Sequence, residues 1–115
     1  INIKRKYNKI SSKKIYAIFE NEYSIDAVYN ALVELSNENK NSIYIAFYKN
    51  SEKIQYVVIT NKNSGFDSLG IINKINELTD GKGSGKSTFA RGGSSKVDKL
   101  NNTLNWLEES DFNCA

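Results

Sequence analysis

The segment from Gly81 to Gly93, GKGSGKSTFARGG, holds five of the chain's seven glycines together with Lys82, Lys86 and Arg91. Glycines let backbone N–H groups approach a ligand with no side chain between, and the long cations add charge, so the chemistry is that of binding phosphate. The first eight residues of the segment mimic a nucleoside-triphosphate loop, but the spacing fails. That loop needs a glycine five residues before the Gly85–Lys86 pair, and Asp80 stands there. The context fails too: such a loop follows a strand and opens into a helix, whereas this one follows a helical stripe and is separated from the next helix by FARGGS. Triphosphate hydrolysis is therefore not expected. Gly81 has a plain structural use in reversing the chain, yet five glycines exceed what one turn requires. The segment is read as ending at a helix N-terminus, whose unpaired N–H groups favour an anion. The residues expected on this binding surface are Lys82, Gly83, Ser84, Gly85, Lys86, Phe89, Arg91, Gly92, Gly93, Ser94 and Lys96.

Other chemistries find little support. The chain has no histidine and one cysteine, Cys114, so the usual general base and the usual zinc ligands are missing. No catalytic residue, metal site or cofactor is expected. The carboxylates are scattered: Glu20 and Glu22 flank a strand end, Glu34 and Glu38 lie a helical turn apart, and Glu108, Glu109 and Asp111 close the chain. They read as solvated faces. The net charge of +3 is too small to indicate nucleic acid by itself, but the basic residues are pooled. Lys4, Arg5, Lys6, Lys9, Lys13 and Lys14 precede the first acid, and Lys82, Lys86, Arg91, Lys96 and Lys99 share their stretch with Asp98 alone.

The elements that must position these groups follow from pattern. Residues 1–13 read as a basic lead-in or linker, either solvated or touching RNA, and 14–115 as a single domain. KIYAIFE (14–20) is β-branched and aromatic on both faces, as in a strand covered on two sides. Ser24 suits an N-cap, Asp26 suits the positive end of the dipole, and Ile25, Val28, Leu32 and Leu35 set a helix over about 25–37. IYIAFY (43–48) and IQYVVIT (54–60) read as an antiparallel hairpin. Leu69, Ile72, Ile75 and Leu78 mark a second helix over 66–79, ending before Gly81 as its C′ residue. Ser95 and Asp98 read as a capping box, and Val97, Leu100, Leu104 and Leu107 carry a third helix over 95–108. The order β-α-β-β-α-glycine loop-α predicts an α/β (α+β) fold, a small mixed sheet with helices packed on it. Tyr16, Phe19, Tyr44, Phe47 and Tyr56 are expected in the core, and Tyr7 and Phe89, among basic residues, as base-stacking candidates. Trp106 is placed at the edge of the third stripe.

The glycine segment also carries a family resemblance. It resembles the DHH-associated domain at the C-terminus of alanyl-tRNA synthetases, whose signature is a glycine run, Arg-Pro-Asp, an apolar residue, Ala-Gln and paired glycines. Gly81, Gly83 and Gly85 match the run, Phe89 the apolar place, Ala90 the alanine, and Gly92 and Gly93 the pair. Lys86, Ser87 and Thr88 stand in place of Arg-Pro-Asp, and Arg91 in place of Gln. The resemblance implies a non-catalytic module that grips the outer corner of tRNA, with the other domains of a parent synthetase as partners and the cytoplasm as location. The same domain in DHH phosphoesterases implies an alternative, the substrate-side half of an enzyme. A protein-interaction domain with a structural glycine loop is a third reading. The chain starts at Ile1 and has no methionine, so it is expected to be a piece of a larger protein. No apolar run is long enough for a membrane helix.

Overall fold

The computed structural model describes residues 8–9, 14–20, 24–38, 40–61 and 64–109. The described chain runs β1 (Asn8–Lys9), β2 (Lys14–Phe19), α1 (Ile25–Glu38), β3 (Ile43–Lys49), β4 (Ile54–Thr60) and α2 (Ser68–Thr79). Then come β5 (Lys82–Lys86), β6 (Phe89–Ser94), a 3-10 turn (Val97–Lys99) and α3 (Leu100–Glu109). Six strands form one mixed sheet in the order β1-β2-β3-β4-β6-β5.

β2 and β3 are parallel, which requires a crossover, and α1 supplies it. Ser24 opens α1 by accepting the Ala27 N–H on its hydroxyl at 3.1 Å. β3 and β4 are the expected antiparallel hairpin, closed by Asn50, whose side-chain oxygen accepts the Glu52 and Lys53 N–H groups at 2.8 and 3.0 Å. The near-continuous apolar runs are explained by cover on both faces of these strands. Against α1 lie Ile15, Ala17, Phe19, Tyr44, Ala46, Val57 and Ile59. On the other face Ile43, Ile45, Phe47, Ile54, Tyr56 and Val58 meet Ile72 and Ile75 of α2 and Leu100 and Leu107 of α3. Phe19, Tyr44, Phe47 and Tyr56 are core residues as expected, and Tyr16 and Trp106 pack at its margin. Burying each of the large apolar side chains contributes on the order of 1.5–3 kcal/mol.

Four expectations are corrected. The glycine segment is a β-hairpin that extends the sheet by two strands. α2 turns Ser68, Ile71, Ile72, Ile75 and Thr79 inward, leaving Leu69 and Leu78 half-buried, because the sheet it covers is offset from the stripe by about one position. The residue that reverses the chain after α2 is Asp80, at φ 54, while Gly81 donates its N–H to Asn76 O at 2.9 Å. Aspartate tolerates this left-handed conformation better than most side chains. The third helix starts later than its stripe suggests. No side chain caps the 3-10 turn, and Ser94 Oγ, rather than Ser95, accepts the Lys96 N–H at 3.0 Å.

A cationic hairpin and its cavity

β5 joins β6 through a two-residue turn, with Lys86 opposite Phe89, Ser84 opposite Arg91 and Lys82 opposite Gly93. The turn is held from below. Ser87 O accepts the Ser68 N–H at 2.8 Å and the Thr60 hydroxyl at 2.9 Å, and Thr88 O accepts the Thr60 N–H at 3.0 Å. Thr60 and Ser68 also join their buried hydroxyls at 3.0 Å. The end of β4 and the start of α2 thus fix where the hairpin reverses.

Strand alternation then separates its residues by chemistry. One face, toward α2, carries Gly83, Gly85, Ala90 and Gly92. Asn76 of α2 reaches across with its side-chain amide to Gly83 O at 3.3 Å while accepting the Tyr56 hydroxyl proton at 2.5 Å. A Cβ on Gly92 would lie 2.8 Å from the Tyr56 ring and 3.0 Å from Asn76 Oδ1. A Cβ on Gly83 or Gly85 would collide with the β6 backbone at Phe89 to Gly92. These glycines admit a close helix and a close strand. They do not form a phosphate cradle at a helix N-terminus, because α3 begins only at Leu100.

The opposite face carries Lys82, Ser84, Lys86, Phe89, Arg91 and Gly93. α1 packs over β3 and β4, so the hairpin projects beyond it. Lys82, Lys86 and Arg91 are exposed, and among the described residues none of the three forms an ion pair. Three cations spaced along the segment therefore point the same way, with no ion-pair partner among the described residues. Ser94 and Lys96 belong elsewhere. Ser94 is buried and donates to Thr79 O at 2.5 Å. The Lys96 ammonium lies 2.8 Å from Asp80 Oδ2. This hydrogen-bonded pair lowers the Asp80 pKa and raises that of Lys96.

Next to the cations, α1 and the sheet leave a cavity of about 290 Å³ lined by Ile25, Asp26, Tyr29, Val57, Phe89 and Arg91. Tyr29 stands edge-on to Phe89, with ring centroids 5.3 Å apart at 73°, and keeps 37% of its surface exposed. Phe89 is thus part of the core margin as well as of the cavity wall. Sequence reasoning missed Ile25, Asp26 and Tyr29 as site residues. The available signal was an aromatic, Tyr29, flanking the apolar stripe of α1. Tyr7, the other stacking candidate, lies outside the described residues. Among the described residues, no group of three or more His, Cys, Asp or Glu side chains could hold a metal ion.

A mixed sheet covered by helices on both faces, ending in a glycine-rich hairpin, defines an α/β domain of the DHH-associated kind, and the DHHA1 domain family matches residues 11–110. The chain belongs to that family. It is 35% identical over 86 residues to an alanine–tRNA ligase of Ureaplasma parvum serovar 3, covering 71% of this chain and 10% of the relative. An alanine–tRNA ligase of Mycoplasmoides gallisepticum is 32% identical over 81 residues, covering 70% and 9%. The chain thus spans about a tenth of the length of these relatives. Among solved structures, the C-Ala domain of Aquifex aeolicus alanyl-tRNA synthetase aligns with a TM-score of 0.76 at 21% identity, over 90% of this chain and 96% of that one. PggH, a pGpG-specific phosphodiesterase of Vibrio cholerae, aligns at 0.58 and 12% identity, over 93% of this chain and 35% of its own. At these identities the structures share the fold. No helix among the described residues is long and apolar enough to cross a membrane.

Proposed function

We propose that this chain is the C-terminal RNA-binding module of an alanyl-tRNA synthetase, and that it holds tRNA through the open face of the β5–β6 hairpin. The observation that carries this reading is the placement of Lys82, Lys86 and Arg91, exposed and without ion-pair partners among the described residues, on one side of the β5–β6 hairpin. Cations so placed meet phosphate and sugar and carry no base information by themselves. The module is non-catalytic, with aminoacyl transfer left to other domains of the parent, which are its protein partners in the cytoplasm. Residues 14–115 form the body of the module, and the basic segment 1–13 leads into it and adds Asn8–Lys9 to the sheet beside β2. Similarity to alanine–tRNA ligases of two organisms supports tRNA over other folded RNAs.

The test is binding of whole tRNA and of an unstructured RNA of equal length, for the wild type and for the triple variant Lys82→Ala, Lys86→Ala, Arg91→Ala. Recognition by shape favours the folded RNA, and the triple variant loses most of that affinity. Equal, weak binding of both RNAs by both proteins would remove the hairpin from the RNA site.

A further inference from the structure

We infer that the cavity between the first turn of α1 and β6 is a nucleobase subsite that takes one unstacked guanine of the bound RNA, an inference that rests on the RNA-binding reading above. The cavity lies on the same face as the three cations, and Arg91 belongs to both, so a strand whose phosphates follow Lys82, Lys86 and Arg91 passes its mouth. Its volume of about 290 Å³ is at the small end of ligand sites, where a single base fits and a larger cofactor does not. Ile25, Val57 and Phe89 make its wall apolar, and Tyr29, set by its edge contact on Phe89, offers a partly exposed ring for a base to stack on.

Asp26 decides which base. A carboxylate accepts hydrogen bonds only, and it repels phosphate, so this end of the cavity is unsuited to the backbone and suited to a donor edge. Guanine alone among the four bases presents two adjacent donors, the N1–H and the N2 amino group, to the two oxygens of one carboxylate. Adenine and cytosine offer one amino group beside an acceptor, and uracil one N–H between carbonyls. Asp26 is exposed and forms no ion pair among the described residues, so its oxygens are not already committed to a cation. Arg91, which lines the cavity from β6, can donate to guanine O6 or to the 5′ phosphate, both of which accept from a guanidinium.

The experiment compares short uridine-flanked RNAs that differ in one central base, guanine, inosine, adenine or cytosine, by fluorescence anisotropy. Whole tRNA is measured in parallel, and each protein is also titrated with guanosine monophosphate and observed by NMR. The guanine strand is expected to bind roughly tenfold or more tightly than the inosine strand, which lacks only the N2 amino group. Asp26→Asn should abolish that preference, and Tyr29→Ala should weaken all four strands. Lys82→Ala with Lys86→Ala should lower every affinity and keep the guanine-to-inosine ratio. If tRNA binds and the four strands bind equally, the base subsite is refuted and the RNA-binding reading stands. If tRNA does not bind, the RNA-binding reading falls. Guanosine monophosphate shifts centred on Tyr29 and Phe89 amides then support the pocket, and their absence overturns it.

Discussion

Lys96 provides the sharpest check on which cations hold RNA. It lies within a few residues of Arg91 and reads in sequence as part of the same basic cluster, but its ammonium is hydrogen-bonded to Asp80 at 2.8 Å. Lys82, Lys86 and Arg91 have no such partner among the described residues. Each cation that neutralises a phosphate adds about 0.7–0.9 to the slope of log affinity against log salt. Between about 50 and about 200 mM salt, one such contact is worth roughly threefold in affinity, and three together roughly 20- to 40-fold. The triple alanine variant should therefore bind tRNA more weakly at low salt and show a slope flatter by about 2–3, each single variant by about one. Lys96→Ala should leave the slope nearly unchanged, because its ammonium is paired with Asp80 and not with a phosphate, so no counterion is released on its account. The assay is filter or fluorescence binding of tRNA across a salt series. A Lys96→Ala slope as flat as that of Lys86→Ala would refute the assignment of the site to the open face of the hairpin.

Three further outcomes follow from the packing. Thr60→Val keeps the shape of the side chain but leaves Ser87 O and the buried Ser68 hydroxyl short of a partner, so denaturant unfolding should show a loss of about 1–3 kcal/mol; a change under about 0.5 kcal/mol would mean that the hairpin turn is not held there. Gly83→Ala drives a Cβ into the β6 backbone at Arg91 and Gly92 and should destabilise by at least about 1–3 kcal/mol, whereas Ser84→Ala, on the open face, should be nearly neutral. Burial raises the pKa of the Tyr44 and Tyr56 phenols, so each keeps its proton longer in the folded protein; their contribution is intact below about pH 10 and is lost as the pH rises above it. Circular dichroism across alkaline pH should show stability falling, less steeply in Tyr56→Phe, and a flat profile would contradict this.

What was legible in the sequence is what local pattern alone can specify. The runs at 43–49 and 54–60 are apolar on both faces because helices cover both sides, and the α1 stripe with its Ser24 cap marks a helix without ambiguity. The hairpin was not legible. Lys-Gly-Ser-Gly-Lys has low strand propensity and is exposed along its whole length, so its pairing is imposed by β6 and by the tie to Thr60 and Ser68. The cations were found by type, but their shared direction depends on the register between β5 and β6, and the separation of Lys96 from them depends on Asp80, a residue 16 positions earlier. The cavity brings 25–29 together with 89–91, a juxtaposition that only the parallel crossover produces.

The glycine segment combines two requirements in one alternating pattern. Odd-numbered Gly83 and Gly85 must lack a side chain so that β5 can lie against β6 and under α2, and even-numbered Lys82, Ser84 and Lys86 are then directed to the other face. A one-residue slip in register would exchange the two sets, thrusting lysines at α2 and leaving glycines on the open face. The turn at Ser87–Thr88 prevents the slip, since its two carbonyls are engaged by Thr60 and by the first turn of α2. The hydrogen bonds that stabilise the hairpin are therefore also what aims its charges. A variant that loosens them should weaken RNA binding even in the folded population, because three cations on alternating strand positions act together only while the register holds.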